Sequence, residues 1–483
     1  MTTQTRREFL KDVGAAAAAA AGAAVAPRLV TAEGPAPSTR PPNILFFFPD
    51  QHRFDWTGAN PAVEVHTPNL DRLAARGVRF TSAVTPSPLC APARACLAAG
   101  KEYERCGVRD NGQDYPVAQM TFYTLLQRAG YHTMGCGKFD LHKATADWGL
   151  DGRRLIAEWG FSDGIDSAGK WDAIRSGAVQ PKDPYMAFLK ERGLLATHVD
   201  DMKKRGSNRF ATFPTPLPED AYGDNWIAAG GLGLLSRAPA GKPWFIQANF
   251  AGPHDPMDIT ERMDRECRSL KRFPPPVGEA TLSPEHLAAR QNYSAMVENI
   301  DRWLGLYLEK LRERGDLDNT VVVWSSDHGE MLGDRGAWGK SKPWQPSIGV
   351  PMVVAGPALR GGIVHAGPAT TVDLAATFLE LAGAARPAEM DSRSLVLLLS
   401  GKTDRHRDCV LSGLGPWRVA FDGRYKLITG WSAGAGKKAG KDADAAAAEP
   451  LLFDLSADPQ EQTNLAARAP QEVARLTEAL RKG

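Results

Sequence analysis

The sequence has no run of about 20 apolar residues, the length a helix needs to cross a bilayer, which excludes a polytopic membrane protein. Cysteine is scarce. Six in 483 residues, at positions 90, 96, 106, 136, 267 and 409, are too few for a disulfide scaffold and contain no C-x-x-C or zinc-finger spacing. An excess of one charge is missing too. The 58 basic and 56 acidic residues nearly cancel, so the basic surplus that usually accompanies nucleic-acid binding is absent. With 43% hydrophobic and 24% charged residues, neither general disorder nor a fibrous repeat fits. The length suits one large domain or two unequal ones.

Residues 1–32 stand apart. Thr5-Arg6-Arg7-Glu8-Phe9-Leu10-Lys11 precedes an Ala-rich apolar run from Val13 to Ala26, and Val30-Thr31-Ala32 offers small residues for cleavage. Paired arginines before a weakly apolar core resemble a twin-arginine export signal. The expected consequences are folding in the cytoplasm, passage through the Tat translocase, and a periplasmic or secreted product with no stable membrane insertion. Cleavage after Ala32 removes four basic and two acidic residues and leaves the two signs equal. Residues 33–42 read as a linker.

Asn43-Ile44-Leu45-Phe46-Phe47-Phe48 is an apolar run expected as a strand buried on both faces, Thr320 to Ser325 and Pro351 to Ala355 are expected as further buried strands, and Trp244 to Phe250 has strand character. A further strand is expected at Tyr131–Gly135. Helices are expected after Thr67-Pro68, with Thr67 as cap, from Thr121 to Ala129, and near Val372 to Ala382. The longest runs from Ser283-Pro284 to Gly315, with Tyr293, Met296, Val297, Ile300, Trp303, Leu304, Tyr307, Leu308 and Leu311 at helical spacing. Residues 150–239 show no strong period and read as loops and short helices. The alternation predicts an α/β sandwich with a mostly parallel sheet over residues 43–400. Residues 401–483 read as a C-terminal subdomain. It holds three short antiparallel strands, a mobile Ala/Gly/Lys/Asp-rich loop at 432–449, and a closing helix from Pro470 to Leu480.

Ligands gather beyond the C-terminal ends of parallel strands. Asp50 follows one such strand and Asp327-His328 another, so two carboxylates and an imidazole can meet there around a divalent cation. Cys90 precedes a short helix opening at Pro92, where free N–H groups favour an anion, and Arg94 adds a fixed positive charge one turn on.

Cys90-Ala91-Pro92-Ala93-Arg94 matches the C-x-P-x-R motif of type I sulfatases, followed by Leu97-Ala98-Ala99-Gly100. The segments Thr67–Ala74, Gly77–Phe80, Ser326–Asp334, Trp338-Gly339-Lys340, Arg424–Leu427 and Leu452–Leu455 through Asn464-Leu465 are similar to that family in the same order. The resemblance implies an alkaline-phosphatase-like sandwich with a small C-terminal antiparallel subdomain. It implies that Cys90 is oxidised to formylglycine by a formylglycine-generating enzyme and hydrated to a geminal diol. Asp50, Cys90, Asp327 and His328 would then hold the metal, with Ca²⁺ expected. Arg94 would steady the diol, and Lys138, His254 and Lys340 would grip the sulfate and the leaving oxygen. One diol hydroxyl would attack sulfur in line, and the second would then expel sulfate.

Three departures from the family pattern stand out. Gln51 replaces a second aspartate, and either ligates through its amide oxygen or only hydrogen-bonds. His328 replaces a common Asn, as in the choline-sulfatase, iduronate-sulfatase and phosphonate-monoesterase branches. Asp140 occupies the place of a usual histidine, which leaves His142 or Asp140 as the base for sulfate release; His142 is favoured because an imidazole titrates near neutrality. The implied substrate is a sulfated small molecule or carbohydrate, with Trp148, Trp159, Trp171 and Trp226 available to stack on sugar rings. The competing readings are a phosphodiester or phosphonate monoester hydrolase on the same fold, and a non-catalytic extracellular binding protein with unmodified Cys90.

Overall fold

Each residue of the first strand, β1 (Asn43–Phe47), is buried, and its alternation divides the molecule into layers. Ile44, Phe46 and the following Phe48 pack to one side, with the helices Cys90–Ala99, Phe122–Arg128 and Asp373–Leu381. Leu45 and Phe47 pack to the other, with the helices Pro68–Ala75, Gly223–Ser236 and Pro284–Glu313. The result is a helix–sheet–helix sandwich. The computed structural model describes residues 40–432 and 449–482. The expected export signal and most of the expected loop at 432–449 lie outside them.

Strands β2 (Gly77–Phe80), β4 (His132–Gly137), β5 (Asp163–Asp166), β6 (Trp244–Asn249), β7 (Thr320–Trp324), β8 (Met352–Ala355) and β9 (Ile363–His365) join β1 in one sheet. Its order is β5-β4-β6-β1-β7-β8-β2-β9. All pairs are parallel except those of β8, which runs against both β7 and β2. Strands β3 (Ala83–Val84) and β10 (Ala369–Thr370) form a separate parallel pair.

The long helix agrees with its stripe: Ser283 caps it by accepting the His286 N–H at 3.2 Å, and Tyr293, Met296, Val297, Ile300, Leu304, Tyr307 and Leu311 are buried. Thr67 stands at its expected cap position, but its hydroxyl accepts the Gly58 N–H at 2.8 Å instead of capping the helix. Residues 150–239 contain more order than their composition suggests. They supply the sheet's edge strand β5 and the helix Gly223–Ser236, which covers β4 and β6. Neither shows a clean period, because β5 is polar and half-covered and the helix is apolar nearly all round.

The C-terminal sheet has four antiparallel strands, not three: β11 (Val410–Leu414), β12 (Trp417–Phe421), β13 (Tyr425–Thr429) and β14 (Leu451–Asp454). The helix Pro470–Lys482 packs its Leu476 on one face. The other face meets Ile348 and Trp344. Buried Glu461 pairs with Lys426 and accepts the Gln345 N–H at 2.8 Å, which ties this sheet to the chain just after Lys340. Among the described residues no helix is long and apolar enough to cross a membrane.

Candidate active site

Four neighbouring parallel strands, β4, β6, β1 and β7, release their chains at one edge of the sheet, each toward residues with chemistry. The β1/β7 register pairs Phe47 with Trp324. Asp50 and Asp327, each three residues further on, therefore emerge at the same level. Ser326 locks the two exits together, accepting the His52 N–H at 2.9 Å and donating to the Pro49 carbonyl at 2.9 Å. Lys138 follows β4 directly, and its N–H donates to the Asn249 carbonyl at the end of β6 at 3.0 Å. His254 follows β6 in the turn Gly252-Pro253-His254-Asp255-Pro256, and the Gly252 carbonyl accepts the Asp50 N–H at 3.1 Å.

Cys90 opens a helix that is buried along its whole length. Leu89 cannot cap it with its own side chain. Asn111 does so from a separate loop, accepting the Ala91 N–H at 3.0 Å. Arg94 lies one turn inside and binds both carboxylates, Asp50 Oδ2 at 3.1 Å and Asp327 Oδ2 at 3.0 Å. It also donates to the Lys138 carbonyl at 2.5 Å and to Asn249 Oδ1 at 3.3 Å. Lys138 pairs with Asp50 and, at 3.1 Å, with Asp140.

Asp50, Cys90, Asp327 and His328 each offer one ligand atom, and these atoms all lie within 4.8 Å of one another. All four residues are buried. The donor chemistry suits a cation. Two buried carboxylates face the same point, where they repel unless positive charge lies between them. Burial and Asp50 together push the Asp327 carboxyl up, against His328 and Arg94. Burial opposes the Asp50 charge as well, but Lys138, His254, Lys340 and Arg94 hold that carboxyl well below its usual range. His328 Nδ1 lies 3.0 Å from the Gly329 carbonyl, which only accepts, so Nδ1 carries the proton. Its Nε2 lies 3.3 Å from Cys90 Sγ. Burial and Asp50 push the Cys90 thiol up, yet Lys138, Lys340 and His328 outweigh them and hold it well below the ordinary thiol value.

Across the cavity, Lys340 Nζ lies 2.5 Å from His254 Nε2 and donates to Gln51 Oε1 at 2.6 Å. His254 Nδ1 donates to the Asp255 carbonyl at 2.6 Å, which fixes the ring's tautomer. The Gln51 amide oxygen is thus occupied by Lys340, and its backbone N–H donates to Asp327 Oδ1 at 2.9 Å.

The structure brings Asp50, Cys90, Arg94, Lys138, Asp327, His328, His254 and Lys340 to one place. It does not bring His142 there. Asp140 takes φ 53° and keeps its carboxylate on Lys138 and Lys143, while His142 continues into the core. Its Nε2 lies 3.2 Å from Asp166, and Trp148 and Trp159 close on it edge-on. Those two tryptophans are buried and unavailable for stacking; Trp226 packs on Tyr185, and Trp171 lines the cavity.

Three participants escaped the sequence reading. Lys143 lines the cavity between Asp140 and Asp172. Glu330 accepts the Leu332 and Gly339 N–H groups at 3.0 and 2.6 Å and holds the Gln51 amide, so it sets both Gln51 and the segment entering Lys340. Asp224 accepts the Ala251 and Gly252 N–H groups, each at 2.9 Å, behind the His254 turn. Glu330 sits inside a recognised motif and was open to notice; Asp224 and Lys143 carry no local signal.

The Sulfatase family profile matches residues 42–384. The choline-sulfatase of Rhizobium meliloti (strain 1021) is 28% identical over 91% of this chain and 86% of its own. The N-acetylglucosamine-6-O-sulfatase of Bacteroides thetaiotaomicron is 28% identical over 76% of this chain and 72% of its own. In fold, the chain is similar to the phosphonate monoester hydrolase of Silicibacter pomeroyi, with a TM-score of 0.72, 21% identity, and 91% and 94% of the two chains covered. The protein belongs to the sulfatase family, on the alkaline-phosphatase-like fold, and is a sulfuric ester hydrolase.

Proposed function

We propose that this is an exported sulfatase that cleaves the sulfate ester of a carbohydrate, using a formylglycine made from Cys90 and a divalent cation, Ca²⁺ being expected. The observation that carries the reading is the single buried cluster of Asp50, Cys90, Asp327 and His328, with Arg94 and Lys138 on one side and the Lys340–His254 pair across the cavity. The carbohydrate follows from the relative named for a sulfated sugar, and export follows from the leader at Thr5–Lys11.

Asp50, Asp327, His328 and the modified residue 90 would hold the cation. The two groups together supply a diol nucleophile and Lewis-acid neutralisation of sulfate charge. The remaining work falls to the chain's own side chains. Arg94 keeps both carboxylates in place from behind. Lys138 and Lys340 present ammonium groups to the sulfuryl oxygens, whose charge grows in the transition state. The Asp255 carbonyl holds His254 so that Nε2 faces Lys340, and this pair carries the proton for the departing alcohol. Asp140, which pairs with Lys138 and has one buried oxygen unpartnered, is the base assigned here to sulfate release.

The mass of the peptide containing residue 90 tests the reading: conversion to the aldehyde lowers it by about 18 Da relative to the thiol. Cys90→Ala should abolish turnover and fold normally. An unmodified Cys90 and no hydrolysis would instead support a binding protein. Faster turnover of aryl phosphonate than of aryl sulfate by the modified enzyme would support the phosphonate reading.

A further inference from the structure

The cavity leading to Cys90 has a volume of about 620 Å³, far more than a sulfate group needs. Its outer wall carries Lys143, Lys170, Arg175 and Arg209, and the carboxylates lining it among the described residues are Asp172 and Asp255. Both are already shared. Asp172 accepts from Lys143 at 2.5 Å and pairs with Arg175. Asp255 pairs with Arg209 and accepts the Trp171 indole N–H at 3.3 Å and the Gln51 amide at 3.4 Å. The other counter-charges sit behind the wall, Asp140 on Lys143 at 2.9 Å and Asp258 on Lys170 at 2.6 Å. Four cations thus share two carboxylates in the lining and two behind it.

Two of these cations have donors to spare. The Arg175 and Arg209 side chains are 67% and 36% exposed, and each guanidinium makes one carboxylate contact. A guanidinium has five N–H donors in a planar fork, so each keeps donors for a further anion and can grip a carboxylate or sulfate with two of them. Trp171 and Trp338 supply apolar surface to the same cavity. We propose that the leaving group of this enzyme's substrate carries a second negative charge, a carboxylate or another sulfate, seated against Arg175 and Arg209. The inference rests on the sulfatase reading and narrows its substrate class to polyanionic esters. A leaving group with a quaternary ammonium would meet like charge and no uncommitted carboxylate, an arrangement that selects against it.

The test uses the formylglycine-bearing, metal-loaded enzyme with three aryl sulfates matched in size: 3-carboxyphenyl, 3-carbamoylphenyl and 3-(trimethylammonio)phenyl sulfate. The trimethylammonio ester has the best leaving group, so chemistry alone ranks it first. The subsite predicts the opposite order, with kcat/KM for the carboxylate ester about tenfold or more above that for the cationic one, as expected for a charge-assisted contact. The preference should shrink with added salt. In Arg175→Gln/Arg209→Gln the ratio should collapse toward or below unity. Wild-type enzyme that prefers the cationic ester, or a preference unchanged in the double variant, overturns the subsite and leaves the sulfatase reading standing. No turnover of any of the three by enzyme shown by mass to carry formylglycine overturns both.

Discussion

The Asp224 carboxylate occupies the space that a side chain on Gly252 would need. One of its oxygens accepts the Gly252 N–H at 2.9 Å, and a Cβ at Gly252 would collide with the other. The Gly252 carbonyl in turn receives the Asp50 N–H, and His254 is two residues on. Asp224 thus acts through the backbone on both sides of the site. Asp224→Ala removes the acceptor for two buried N–H groups, a loss commonly worth about 1–3 kcal/mol each. We expect reduced stability and a larger fall in kcat than in substrate affinity, with faster amide exchange at Ala251 and Gly252. Asp224→Asn keeps an acceptor oxygen and should restore much of the rate. Gly252→Ala should resemble Asp224→Ala.

Asp50 and Asp327 reach the cluster from different strands, and His328 adds a nitrogen whose tautomer is set by Gly329. Alanine at any of the three should lower bound metal and turnover together, measured by elemental analysis and by hydrolysis of an aryl sulfate. Full metal occupancy in Asp327→Ala would remove the assignment. Arg94, which rests on both carboxylates, should behave differently: Arg94→Ala leaves the ligands present but unsupported, lowering affinity for the ion before abolishing it.

His254 and Lys340 should show their role through the leaving group. General acid catalysis is typically worth ~10²–10⁴-fold, so His254→Ala should lose about that much with a poorly leaving alcohol and far less with an activated aryl ester. Equal losses for both would reject the role. For sulfate release, the placement of the two candidates moves the expectation to Asp140. Asp140→Ala should accumulate sulfated enzyme, whereas His142→Ala, acting on a core contact with Asp166, should lower the melting temperature and spare turnover. A sulfated intermediate trapped by His142→Ala would reverse this.

Glu102 gives the fold a pH dependence of its own. Burial, only partly offset by Arg407, pushes its carboxyl from 4.5 to about 7. Below pH 4.5 the folded and unfolded chains both hold the proton. Between there and about pH 7 only the unfolded chain releases it, so stability falls as pH rises and levels off above. Glu102→Gln removes this term. It should match wild type near pH 4 and exceed it near pH 8 by up to about 3 kcal/mol in urea unfolding. A variant no more stable than wild type at pH 8 would show that burial does not raise the Glu102 carboxyl.

Of the strands nearest the site, β1 and β7 are legible because they are buried on both faces and read as near-continuous apolar runs, whereas β6 is interrupted by Gln247 and Asn249 and is legible from its Trp244-Phe245-Ile246 start. Cys90, Arg94 and the metal group were legible through short motifs at the ends of those runs. What escaped was set by partners distant in sequence. Asn111 caps a helix that begins 21 residues earlier in the numbering, at Cys90, and no local pattern announces it. His142 was favoured on its chemistry, but a left-handed turn at Asp140 decides which of the two side chains stays near Lys138. The edge strands β5 and β11 escape because one is polar and the other is interrupted by Ser412 and Gly413.

The pairing of Phe47 with Trp324 works as a ruler. Past Asp50, and outside the helix that opens at Cys90, the chain between the two strands can lengthen or shorten without changing the level at which each strand ends. The three-residue step from each paired residue to its aspartate has no such freedom. One residue inserted between Phe47 and Asp50 advances the chain by about 3.3 Å and, in extended backbone, turns the carboxylate to the opposite face. Ligand positions tolerate only about 0.5 Å. Insertions that enlarge or reshape the substrate cavity are therefore confined to the segments beyond these steps.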